Sequence, residues 1–136
     1  MSELVRWIRH GQEKILFNDY SGLREQQYLQ ELDETIALIK EAIAAQEPYL
    51  LVLTDVSNTT TTIRITDKAK ECTELYKGIK TLSAIVGVMG AKRVIANLLV
   101  PGIQICADRD EGLEWLVAEA GQLGHSTSSE GLAGES

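Results

Sequence analysis

The side chains best placed to do chemistry lie between Pro48 and Thr62, in the segment PYLLVLTDVSNTTTT. An apolar run ends there in a carboxylate at Asp55, a hydroxyl at Ser57, an amide at Asn58, and four successive hydroxyls at Thr59, Thr60, Thr61 and Thr62. A hydroxyl at the mouth of a helix has two uses. It caps the first turn by accepting a backbone N–H, or, once phosphorylated, it rests its charge on the unpaired N–H groups of the helix start. A phosphate would add about −1.5 to −2 of charge to a partner-binding face, enough to abolish a complementary contact. The run fits either role: one threonine as cap with the rest as loop, or a phosphorylation switch.

Other candidate constellations are thinner. Asp19 and Asp55 each close an apolar run, and if those runs are neighbouring strands the two carboxylates converge. Such a pair does acid–base work only when its surroundings separate the two pKa values, and otherwise it caps loops. GVMGAKR (Gly87 to Arg93) has glycines too closely spaced for a phosphate loop, and Arg93 stands where the hydroxyl after Lys92 is needed. Lys92 and Arg93 remain a candidate anion-binding pair at a helix start. His10 falls in a turn and His125 near the end, so neither is placed as a base. With no Ser/His/Asp or Cys/His set, nucleophilic catalysis lacks its parts, and no cofactor motif is found. Cys72 and Cys106 lie in separate elements with no CxxC or Cys/His cluster for zinc, and read as reduced, buried thiols.

Composition narrows the classes further. At 136 residues, 44% hydrophobic and 24% charged, the chain suits one globular domain able to bury roughly two-thirds of its unfolded surface. A net charge of −7 argues against nucleic-acid binding, which needs a basic stripe, and against an anionic membrane surface. No apolar run approaches the roughly 20 residues of a membrane span, so a cytoplasmic location is expected.

The elements that would position these residues follow from periodicity. LVRWIR (Leu4 to Arg9) and ILFND (Ile15 to Asp19) predict a β-hairpin. Leu29, Leu32, Ile36, Ile39 and Ile43 recur at helical spacing, predicting a helix from Arg24 to Gln46 with Ser21 or Gly22 at its entrance. Tyr49 to Val56 is aliphatic on both faces, as in a buried parallel strand. A second helix should run from about Ile63 to Lys77, a strand from Leu82 to Val88, a short helix from Ala91 to Leu99, and a strand from Ile103 to Ala107. Asp108 and Glu111 form a capping-box-like start to the last helix, which buries Leu113, Leu116, Val117 and Ala120. Trp115 falls at the margin of that stripe, either under the hairpin or as an anchor for a partner.

The order hairpin, helix, strand, helix, strand, helix, strand, helix predicts an α/β fold. It has a mostly parallel mixed sheet of about five strands and about four helices in one domain over residues 1–120. Residues 121–136 lose periodicity and read as a disordered tail.

LVLTDVSNTTTTIRIT, with TLSAIVGVMG, IQICAD and DEGLEWLVAE, resembles the STAS-type anti-sigma-factor antagonists. The likeness is to the sporulation IIAA-like branch in particular, whose fold is grouped with the CRAL-TRIO lipid-binding domain. The resemblance covers nearly the whole chain before the tail and rests on element order and apolar texture. It implies a non-enzymatic regulatory domain that binds a protein partner, with a Ser or Thr phosphorylated at the mouth of a helix. Asp55, Ser57 and Thr59 to Thr62 occupy that place, although TTTTIR lacks the family's aspartate before the hydroxyl and glycine after it. The other reading is a carrier of a small apolar or lipid-like ligand held between the sheet and the helices Ile65 to Ile79 and Ala91 to Leu99. Open sheet edges also make a homodimer a candidate assembly.

Overall fold

Residues 3–89 and 102–135 are described by the computed structural model, with side chains as far as Leu123. The first pairing is the most local. Strands β1 (Val5–His10) and β2 (Glu13–Asp19) are antiparallel, with His10 opposite Glu13. The two intervening residues make the turn. Gly11 takes φ +61° and Gln12 does not go left-handed, which is the arrangement of a type II′ hairpin loop.

Helix α1 (Glu25–Ala44) follows, then β3 (Leu50–Asp55), α2 (Ile63–Tyr76), β4 (Thr81–Val86), β5 (Gln104–Cys106) and α3 (Arg109–Glu135). The expected entrance of α1 at Ser21 or Gly22 is corrected: Arg24 precedes the first turn and gives no side-chain cap. Ser21 is diverted, since its hydroxyl and amide both donate to Asp19, and Gly22 N–H donates to the Ser57 carbonyl. At the other end of α1, Gln46 is left-handed at φ 57°. Its N–H donates to Ile43 O and that of Glu47 to Ala42 O, the two bonds of a Schellman motif with glutamine where glycine is usual.

The sheet order is β1-β2-β3-β4-β5, with β1 antiparallel and every other neighbour parallel. The five strands and the hairpin agree with the sequence pattern. Three helices occur among the described residues; the expected helix Ala91 to Leu99 lies outside them. When strand order follows chain order, right-handed crossovers all fall on one face of the sheet. Helices α1 and α2 accordingly pack together against Leu16, Leu50 and Val52. Among the described residues, only α3, arriving after the last strand, covers the opposite face, where Leu116 and Ala120 meet Ile15, Phe17, Leu51 and Leu53.

Four successive β3 residues, Leu50 to Leu53, are at most 2% exposed, which is why that strand reads as continuously aliphatic. Trp115 is half-buried against the α3-side core, which includes Ile8 and Ile15 of the hairpin. Asp108 accepts from the Glu111 N–H at 2.9 Å, while Glu111 accepts from the Ala107 N–H at 2.7 Å. That is a near-reciprocal cap for the start of α3. The helix continues to Glu135, beyond Ala120 where the apolar repeat stops.

Candidate functional site

Parallel pairing of β2 with β3 sets Asp19 opposite Asp55. Alternation along both strands sends these carboxylates to the α3 face, in line with Ile15 and Phe17 on one strand and Leu51 and Leu53 on the other. The convergence foreseen from the sequence is therefore realised, and a cation fills it. Arg109, the first residue of α3, donates from Nε to Asp55 Oδ2 at 2.7 Å and reaches Asp19 Oδ1 from its terminal nitrogen at 3.1 Å. Its guanidinium lies 4.8 Å from the centre of the Phe17 ring, within cation–π range.

Burial alone would raise the Asp55 pKa. The Ser57 hydroxyl and amide and the Arg109 guanidinium outweigh it and hold the carboxyl below its ordinary value. Arg109 in turn is held above its usual value, its own partial burial being overcome by Asp55 and Asp19. Both carboxylates are engaged by one guanidinium, the arrangement of an ion-pair cluster that caps strand ends. The geometry fits a clamp that docks the start of α3 onto the sheet. Arg109 escaped the sequence reading because nothing local marks it. The available signal was indirect: two aspartates ending neighbouring strands on one face require a cation, and the capping box at Asp108 and Glu111 puts the next helix start within reach.

The turn after β3 is wired from within. Asp55 Oδ1 accepts from the Ser57 N–H at 2.9 Å, Asn58 is left-handed at φ 57°, and Thr59 donates its hydroxyl to Val56 O at 2.6 Å. Gly87, at φ +88° just after β4, packs against this turn so closely that a Cβ there would fall 2.7 Å from Ser57 Cα and nearer still to its amide nitrogen and hydroxyl. No side chain fits that space.

The four threonines divide by position. Thr59 is 7% exposed and spent on the turn. Thr62 caps α2, accepting from the Ile65 N–H at 3.2 Å and donating to Glu25 Oε1 of α1 at 2.6 Å. Thr60 and Thr61 project into solvent with Asn58, and Ser57 is half-exposed. The residue after the cap, Ile63, is 80% exposed, and Met89, three positions beyond β4, is 78% exposed. The first turn of α2 carries no acidic residue. Lys92 and Arg93, the candidate anion site, lie outside the described residues.

Both thiols are free and buried. Desolvation pushes Cys72 up to about 12 and also raises Cys106, so neither is a ready nucleophile. Among the described residues there is no group of three or more His, Cys, Asp or Glu side chains placed to hold a metal ion, and no helix long and apolar enough to cross a membrane. Against family models, curated proteins and solved structures, the chain gives no match in any of the three comparisons.

Proposed function

We propose that this chain is a non-enzymatic interaction domain of the STAS-like regulatory type, binding a protein partner through the surface from Ser57 to Ile63. The observation that carries this reading is the pairing of exposed hydroxyls at Thr60 and Thr61 with a large apolar side chain, Ile63, that is 80% exposed at the next helix start. An apolar anchor ringed by polar groups is the usual make-up of a contact hot spot. A turn tied down by Asp55, Thr59 and the close approach of Gly87 presents that surface at low entropic cost.

Phosphorylation at Thr60 or Thr61 is the form of switch we favour. A phosphate there meets a helix start with no acidic residue in its first turn and with Arg64 beside it, 74% exposed at its side chain. Thr62 is a poor acceptor, since its hydroxyl bonds the Glu25 carboxylate and a phosphate would face that charge.

The test joins two measurements on protein from its native cells. Mass spectrometry should find phosphate at Thr60 or Thr61, and a cross-linked partner should be lost on Ile63→Glu and weakened at least 10-fold by Thr60→Glu with Thr61→Glu. A partner retained undiminished by all three changes would sink the reading.

A further inference from the structure

On the α1/α2 side of the sheet, the core is interrupted by a band of hydroxyls. Asn18 and Thr54 are register partners on β2 and β3, and Ser83 lies on the same face of β4. Asn18 Nδ2 donates to Thr54 at 3.3 Å, and Thr35 of α1 donates to Asn18 Oδ1 at 2.9 Å and also bonds the Tyr20 hydroxyl. Around this network lies a cavity of about 130 Å³, closed on the helix side by Tyr28, Cys72 and Tyr76.

Three of its hydroxyls are left over, those of the buried Ser83 and Tyr28 and of the half-buried Tyr76. Ser83 and Tyr28 are 6% and 8% exposed, yet none of the three hydroxyls has a hydrogen bond among the described residues. No fully sealed side-chain oxygen or nitrogen there lacks a partner, so these three face accessible space instead of packed atoms. A molecule entering that space with a polar group of its own gives each of them a partner.

The cavity is also connected to the surface. Thr73, Tyr76, Ser83 and Ile103 line both it and an open groove of about 380 Å³. Among the described residues, every charged side chain lining the groove is a lysine, Lys77 or Lys80, and none lines the inner cavity. Lys77 is paired with Glu74 at 3.0 Å, and Lys80 has no such pair among the described residues.

We propose that this cavity and groove form a small-molecule site for an acid with an uncharged, hydroxyl-bearing body about one ring in size. The body sits against Ser83 and Tyr28, and its acidic end lies in the groove by Lys80. Size limits the body to about one ring, because the cavity of about 130 Å³ is slightly smaller than the roughly 150 Å³ that takes benzene and opens into the larger groove. The uncharged lining supports a neutral body, since an unpaired charge would not be carried in. The hydroxyls disfavour a plain hydrocarbon chain. This site is separate from the Ser57 to Ile63 surface, and neither proposal rests on the other.

The test is a titration of the full chain followed by amide NMR shifts, using 4-hydroxyphenylacetate, phenol and tyramine as probes. Shifts should centre on Thr54, Cys72 and Ser83, with 4-hydroxyphenylacetate tightest, phenol weaker and tyramine at least 10-fold weaker than the acid. Ser83→Ala should weaken the acid about 3–10-fold, Lys80→Gln about 2–5-fold, and Ala69→Leu, which fills the cavity wall, should abolish saturable binding. Thermal melting of each variant keeps a folding defect distinct from a binding loss, and the milder Ser83→Ala decides if Ala69→Leu does not fold. No saturable shifts with any probe, meaning water alone in the cavity, would overturn the proposal. Tyramine binding as tightly as the acid, or affinity unmoved by Ser83→Ala, would overturn it as well.

Discussion

The two faces of the sheet are built from the same strands and differ in how they close. Beneath α3 the helix backbone comes down at Gly112, where a Cβ would stand 2.7 Å from Leu53 Cδ1, and the lining is aliphatic with Phe17. Beneath α1 and α2, hydroxyls and an amide interrupt the core and a cavity remains. Close packing tolerates neither face being redrawn freely, and among the described residues the α1/α2 face holds a cavity of about 130 Å³. The difference teaches where to look: the ion-paired strand ends lie on the α3 face, and the hollow lies on the other.

Breaking the tight face should cost the most. Leu116 is fully buried, and Leu116→Ala should destabilise by about 3–4 kcal/mol in urea unfolding. Adjacent residues on β4 offer a sharper contrast, because Ser83 and Ala84 point to opposite faces. Ala84→Val should cost about 1–3 kcal/mol by overpacking. Ser83→Val, entering the cavity, should change stability by less than about 0.5 kcal/mol or raise it slightly. Equal costs at the two positions would erase the distinction between the faces.

Arg109→Leu should cost about 1–3 kcal/mol, less than breaking a wholly buried pair because the guanidinium side chain is 43% exposed. Its pH signature follows from Asp55. The folded pKa lies below the ordinary value of 3.8, so the carboxylate's contribution is whole above about pH 5 and is lost as pH falls through the folded value. Wild type should therefore lose more stability between about pH 5 and 2 than Arg109→Leu does; parallel curves would show that the clamp adds nothing. An effect of opposite sign is expected at Gln46, where glycine should stabilise by about 0.5–1 kcal/mol by relieving the left-handed φ of 57°, read as a raised urea midpoint.

Periodicity made most of the fold legible. The stripe Leu32, Ile36, Ile39 marked the buried side of α1, and the unbroken aliphatics of β3 marked a strand covered on both faces. Alternation also hid something. Thr54 and Ser83 look like ordinary polar punctuation in their strands, and only register and helix packing turn them into the wall of a cavity. The threonine run was legible as a helix start, with Thr62 the cap. Which hydroxyls stay outside depended on the Thr59 bond to Val56, a contact with no sequence signature. Arg109 was the largest omission, because its partners lie 54 and 90 positions earlier in the chain.

Sequential strand order also sets a timetable for synthesis. As the chain emerges, each strand can join the edge left by the one before it, and α1 and α2 can cover their face while later residues are still being made. The opposite face stays bare until α3 is complete. During that interval Phe17, Leu51 and Leu53 stand uncovered, and Asp19 and Asp55 repel each other without their guanidinium. A nascent chain stalled just short of Arg109 would be at its stickiest, and the last helix, laying Leu116 and Ala120 over those side chains and Arg109 between the carboxylates, ends that exposure.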